Sequence, residues 1–318
     1  MKIKELYRRV IEIGMNNDPR PKKRLKEILR NTRKSYRSLK GVKKETFDKD
    51  SLFNPYADTR VLYGSPDTEI NRVMVGIDID GTELLVADRL NRMQDTVDLV
   101  ISHHPGGRSL SELHKVMELQ GDQLKRLGIQ AEVADDLMKE RMAEVSRSLH
   151  SRNVMRSIDI ARILSMPYMC AHTAADNMVN RFLQKFFDKK RPKSVKEIVD
   201  LLEGIYEYKE GCKAGFGPQV FIARKEKPAG RIFVDMTGGT EGSKRVFARL
   251  SQAGIGTLIS MHLSEEHFKC AKTEHINVVV AGHIPSDSIG LNLLLDELIK
   301  QDDLDIIPCS GFIRHSRL

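Results

Sequence analysis

Two adjacent histidines close a short apolar run, Asp98-Leu99-Val100-Ile101-Ser102-His103-His104-Pro105. Imidazole is both a common metal ligand and a general base near neutral pH. The run reads as a strand that Pro105 prevents from continuing. Neighbouring side chains on a strand point to opposite faces, so both rings serve one site only if the backbone turns at His103 or His104. Pro105, Gly106 and Gly107 supply such a turn. A lone His-His pair is weak evidence of a metal, and a surface loop carrying two histidines is the simpler reading.

The remaining candidates change those odds. Asp176 follows Ala171-His172-Thr173, His262 follows another apolar run, and Gly282-His283-Ile284-Pro285-Ser286-Asp287 places an imidazole four residues before a carboxylate. His283 closes an expected strand, Gly282 permits close backbone approach, and Pro285 suits the opening of a helix. Asp287 is expected in that helix's first turn, where the dipole favours an acid. Three imidazoles, those of His103, His104 and His283, and the carboxylates of Asp176 and Asp287 would not fill two coordination shells. Open positions for water are the mark of a catalytic Zn, Mn or Fe site, whereas a closed structural site prefers thiolates.

The elements that must position these residues alternate. Strands are expected over 72–78, 98–102, 167–172, 219–223, 231–236, 257–260, 277–281 and 304–308, with helices over 83–94, 177–187, 195–206, 245–252, 264–273 and 286–300. This pattern predicts an α/β layer structure with largely parallel sheets in two pseudo-equivalent α/β lobes. In such sheets ligands lie beyond the carboxyl ends of the strands, where His103, His104, Asp176, His262, His283 and Asp287 all fall. His114, His267 and His275 read as incidental. Residues 53–67 read as loop, and 110–127 with 134–164 as charged helices. There Met138, Met142, Val145 and Leu149 form a stripe that reads as core packing in a helical insertion over about 108–150. The turn Thr237-Gly238-Gly239-Thr240-Glu241-Gly242-Ser243-Lys244 lacks P-loop spacing and reads first as a tight turn and second as a phosphate cradle.

The 318 residues are 40% hydrophobic and 30% charged, enough for one large or two small domains. No apolar run approaches the ~20 residues of a membrane span. The first residues carry charges too early for a secretory leader, so a cytoplasmic location is the expectation. The 4 cysteines are scattered and read as small buried hydrophobes. The net charge of +8 is concentrated at the amino terminus, where residues 1–44 hold 16 of the 52 Lys and Arg against 4 of the 44 Asp and Glu. Residues 1–52 therefore read as a basic helical extension, with Leu6, Val10 and Ile13 on one apolar face and Leu25, Ile28 and Leu29 on another. The expectation is a charged face packed on the core; nucleic-acid binding through 1–44 is the weaker alternative.

The segments ending in His103-His104-Pro105, in His172-Thr173-Ala174-Ala175-Asp176 and in Gly282-His283-Ile284-Pro285-Ser286-Asp287 resemble the signature blocks of the NIF-three-like family. That dinuclear metal-centre family is also labelled type 2 GTP cyclohydrolase I homologues. The likeness runs from about residue 53 to the carboxyl terminus. It implies that His103, His104, Asp176, His283 and Asp287 hold two divalent metal ions, with Asp287 standing where the family usually has glutamate. It implies a metal-dependent hydrolase acting on a nucleotide or phosphoester, with a non-enzymatic metal-binding scaffold as the alternative, and a homohexameric assembly. His262, where relatives often carry an acid, is left as a sixth ligand, a proton shuttle or a group behind the ligands; His172 is a second candidate for proton relay.

Overall fold

The computed structural model describes all 318 residues. It contains two sheets. Strands β1 (Thr59–Tyr63), β2 (Arg72–Gly76), β3 (Leu99–Ser102), β4 (Tyr168–Ala171) and β9 (Asp305–Cys309) form the first, and β5 (Gln219–Ile222), β6 (Arg231–Asp235), β7 (Ile255–Ser260) and β8 (Asn277–Val280) the second. The first sheet runs β1-β4-β3-β2-β9 and the second β5-β8-β7-β6. In each, one antiparallel edge strand, β1 or β5, flanks an otherwise parallel sheet. The order β1-β4-β3-β2 is thus repeated as β5-β8-β7-β6, with β9 added beside β2. The two pseudo-equivalent α/β lobes expected from the alternation are present.

Side-chain alternation along the strands shows how the layers stack. Val73, Val75, Leu99, Ile101 and Met169 face a central core, while Met74, Val100 and Tyr168 face outward onto the helices Gly81–Arg92 and Arg156–Ile163. In the second sheet Val234, Ile259 and Val279 face inward, and Phe233, Leu258 and Val278 face the outer helices. The helices Thr173–Lys190 and His283–Ile299 give residues to both inner cores and lie between the sheets. Period-two alternation with both faces apolar is the pattern of sheets buried on both sides. The insertion buries its methionine stripe, with Met138, Val145 and Leu149 packed with Phe247 and Leu250 on the second sheet's outer face. Ile3–Asn17 sits in the central layer, with Ile3, Leu6, Tyr7, Val10 and Ile11 buried.

Several expected boundaries move. β1 lies in the stretch read as loop, because flanking Asn54-Pro55 and Ser65-Pro66 turn signals masked a five-residue edge strand. The helix expected from 177 begins at Thr173, and the one expected from 286 begins at His283, so Asp287 lies beyond the first turn rather than within it. Pro285 is tolerated there because the first turn needs no N–H from it. The gap expected after 127 falls at Gly128, which has φ +98°, but the helix expected over 134–164 is broken near 151–155. Cys170 is buried as expected, but Cys212 is exposed. No helix is long and apolar enough to cross a membrane.

Candidate metal centre

The carboxyl ends of β3, β4, β7 and β8 converge between the lobes. After β3 the main chain continues alongside β2, with the His103 amide donating to the Gly76 carbonyl (2.8 Å) and the His104 amide to that of Ile77 (3.0 Å). The Ser102 hydroxyl then donates to the His104 carbonyl at 2.7 Å. This is the turn that lets two successive rings face one place. The second lobe repeats it after β7, where the Ser260 hydroxyl donates to the His262 carbonyl at 2.9 Å. Thus Ser260-Met261-His262 corresponds to Ser102-His103-His104, and His283 with Asp287 corresponds to His172 with Asp176, each pair four residues apart where a strand passes into a helix.

Of the six residues singled out from sequence, five meet directly. His103 Nε2 lies 3.3 Å from Asp176 Oδ1 and 3.4 Å from Asp287 Oδ1. His104 Nε2 and His283 Nε2 lie 3.5 and 3.3 Å from Asp287 Oδ2. His262 stands one ring further out, its centroid 5.1 Å from that of His283. His172, also buried, sits with its ring 4.9 Å from His103 and its Nε2 3.8 Å from Asp176 Oδ2.

The outer nitrogens of these rings are anchored. His103 Nδ1 pairs with the Ala171 carbonyl at 3.2 Å, His104 Nδ1 with Asp78 at 2.7 Å, and His172 Nδ1 with the fully buried Asp58 at 2.8 Å. His262 Nδ1 faces Glu241 at 3.4 Å. An acceptor on Nδ1 fixes the tautomer that leaves Nε2 as an inward-facing lone pair, the arrangement usual behind metal-bound histidines. Asp58, Asp78 and Glu241 were not singled out from sequence. Asp78 follows a strand at its carboxyl end and obeys the rule that located the histidines, whereas Asp58 lies in a stretch without periodic signal.

Asp176 Oδ1 and both carboxylate oxygens of Asp287 are buried without any hydrogen-bond donor. A buried ionised carboxylate left unpaired is costly, so these oxygens call for a cation. The groups His103, Asp176, Asp287 and His104, His283, Asp287 each bring three ligand atoms together closely enough to hold a metal ion. Oxygen and imidazole donors without thiolate suit Zn, Mn or Fe.

Charge follows the same geometry. Burial works against ionisation of Asp287, but the imidazoles of His103, His104 and His283 that face it hold its carboxyl far below the usual carboxylate range. Burial likewise disfavours a charged His103, yet Asp287 and Asp176 raise its pKa well above the ordinary value. Asp58 stays below its ordinary value despite burial because His172 and Thr173 bond to it. Burial pushes Asp235, at the end of β6, up to about 6. Glu241, opposed by burial but bonded by His262 and the Ser264 amide, falls to about 2.

Next to the centre, and sharing His172, Asp176, His283 and Asp287 with it, a cavity of about 90 Å³ is walled by the glycine-rich turn after β6 and by His262. The insertion pins that turn: the Gln120 amide donates to the Gly238 and Thr240 carbonyls (3.2 and 2.6 Å), and Arg141 donates to the Glu241 carbonyl (3.0 Å).

Among solved structures the chain is similar to a NIF3 superfamily protein from Sphaerobacter thermophilus, with a TM-score of 0.70 and 24% identity over 90% of this chain and 98% of that one. The fold is that of the NIF3 superfamily. Reduced HcgD from Methanocaldococcus jannaschii is a more distant similarity, with a TM-score of 0.48 and 17% identity over 83% of this chain and 93% of that one. No protein-family model and no curated protein matches the chain. The NIF3 fold accounts for both lobes and the helices between them.

Proposed function

We propose that the chain is a metal-dependent hydrolase with a dinuclear centre between its lobes. The observation that supports this most directly is the set of donor-less buried oxygens on Asp176 and Asp287, met by inward-facing imidazole nitrogens. One ion would be held by His103, Asp176 and Asp287 and the other by His104, His283 and Asp287. Asp287 would serve both, since its Oδ1 faces His103 while its Oδ2 faces His104 and His283. Two divalent cations there would supply Lewis-acid polarisation of a substrate oxygen and make a nearby water acidic.

The chain's own residues handle the proton. Glu241 is ionised at neutral pH and accepts from His262 Nδ1, which leaves His262 Nε2 free to take a proton from the attacking water. His262 is partly exposed and can pass that proton to solvent or to the leaving group. His172, oriented by Asp58, is the second such base. Asp235, with its carboxyl pushed up to about 6, is poised to exchange a proton near neutrality.

Elemental analysis of the native protein beside His103→Ala and Asp287→Ala variants, with a hydrolysis screen on the same samples, tests the reading. Two divalent ions per chain are expected in the parent and fewer than one in each variant, with turnover lost alongside the metal. Metal uptake with no turnover on any ester, amide or phosphoester would favour a metal-binding scaffold. Absence of metal in the parent would remove the centre altogether.

A further inference from the structure

The helix Lys22–Ser38 distributes its charge in an ordered way. Residues 22–45 carry eleven Lys and Arg against two acids, Glu27 and Glu45. At about 100° per residue, Lys22, Lys23, Lys26 and Arg30 in the first half of the helix and Arg33, Lys34 and Arg37 in the second fall within one arc of roughly 120°. No acid lies inside that arc, and all seven side chains are exposed. None of them meets a carboxylate. The helix's one ion-paired cation is Arg24, outside the arc, which reaches Glu27 at 3.5 Å and Asp122 at 3.0 Å.

Folding alone does not ask for this arrangement. Like charges four residues apart on a helix repel, and Lys22 with Lys26, Lys26 with Arg30, Arg30 with Lys34 and Arg33 with Arg37 are all such pairs. The helix Ala131–His150 shows the ordinary solution in the same chain, with five acids and three bases interleaved along it. The other side of Lys22–Ser38 fixes it in place. Leu25 is buried there, and Ile28, Leu29, Thr32 and Tyr36 are partly buried. Tyr36 packs on Phe47 with ring centroids 4.8 Å apart, and Arg33 Nε donates to the Leu52 carbonyl at 2.8 Å. An amphipathic helix needs its apolar stripe free to enter a lipid surface, and this one spends its stripe on the protein. The basic face is what remains for a partner.

From this geometry we infer that the outer face of Lys22–Ser38 is a docking surface for the phosphate backbone of a nucleic-acid duplex, bound without regard to sequence. The seven cations extend over about 22 Å of helix, a length along which duplex DNA presents about a dozen phosphates. A fixed row of cations thus meets a fixed row of anions. A single strand fits less well, because its bases need aromatic platforms. Tyr36, the helix's one aromatic residue, lies outside the basic arc and against Phe47. The surface is independent of the proposed metal chemistry and is tested without it.

Fluorescence anisotropy of the full chain in chelator, with a labelled DNA duplex two turns long, tests the assignment. Duplexes of unrelated sequence are expected to bind alike. Neutralising about four phosphates makes affinity fall about 100-fold between roughly 50 and 200 mM salt, a slope read on the parent without any variant. The combined variant Lys26→Gln, Arg30→Gln, Lys34→Gln is expected to bind at least about ten-fold more weakly, with unchanged far-ultraviolet circular dichroism. Lys185→Gln, Lys189→Gln, Lys190→Gln removes the same charge from exposed positions on another helix and is expected to bind as the parent does. The assignment is overturned if the parent does not bind duplex at the lower salt, or if both variants weaken binding equally, since net charge alone would then be at work. Tighter binding to a single strand, or displacement of the duplex by phosphatidylserine vesicles at equal phosphate, would overturn it as well.

Discussion

At the scale of single residues the centre is a balance between buried acids and the protons they attract. In the metal-free chain Asp287 and Asp176 raise the pKa of His103 well above its ordinary value even though burial opposes a charged ring. That shift favours the protonated ring, and an incoming ion must displace its proton. A raised pKa means that the protonated, metal-free form gains as pH falls, so metal affinity should drop by about ten-fold per pH unit for one displaced proton between pH 8 and 6. Chelator-competition titrations across that range check it, and a flat profile would show His103 neutral before binding. The ligand candidates themselves were legible because they sit at strand ends, where an α/β sheet collects its ligands. The residues that orient them were less so. Asp58 reaches His172 from more than a hundred positions away, and no spacing within the chain links the two.

At the scale of elements, the centre depends on how closely two helices approach. Thr173–Lys190 carries Asp176 and His283–Ile299 carries His283 and Asp287. They meet at Gly290, where an added Cβ would lie 2.6 Å from the Ala175 main-chain oxygen. Alanine gains up to about 1 kcal/mol over glycine in a helix interior from propensity. Overpacking against backbone that cannot swing aside costs about 1–3 kcal/mol. Gly290→Ala should therefore destabilise the protein by about 1–2 kcal/mol in thermal unfolding and weaken metal binding by spreading Asp176 from Asp287. A stabilised variant with unchanged affinity would show that the helices have room to spare. The eight other strands were readable from their apolar runs, whereas β1 was not. Its Thr59-Arg60-Val61-Leu62-Tyr63 sequence mixes a buried, ion-paired Arg60 with apolar residues. That pairing with Asp48 is a tertiary event that a local pattern does not announce. Helix starts shifted for a related reason: proline in the first turn and histidine at the strand end look like punctuation, although both can be accommodated in a first helical turn.

At the scale of the molecule, the repeated strand order and the matching Ser-x-His and His-x-x-x-Asp segments make the centre a meeting of two half-sites. The halves are unequal, because Met261 stands where His103 stands in the other. That asymmetry leaves one side rich in ligands and the other with space, which the cavity beside the glycine-rich turn occupies. The same packing decides the standing of the amino-terminal segment. Its basic composition suggested an extension resting on a finished core, yet Ile3, Leu6, Tyr7, Val10 and Ile11 lie within the central hydrophobic cluster. Asp18 and Arg20 form a buried ion pair there, and Tyr56 donates to Asp18 at 2.8 Å. Burying five such side chains contributes about 8–15 kcal/mol at roughly 1.5–3 kcal/mol each, an upper estimate against a typical total of about 5–15 kcal/mol. Deleting residues 1–20 should accordingly abolish cooperative folding rather than trim a tail, as seen in the loss of a sharp thermal transition and of dispersed amide resonances. A truncated chain that still melts cooperatively near the parent temperature would place the fold's stability elsewhere, in the helices that carry Asp176 and Asp287 and the sheets on either side of them.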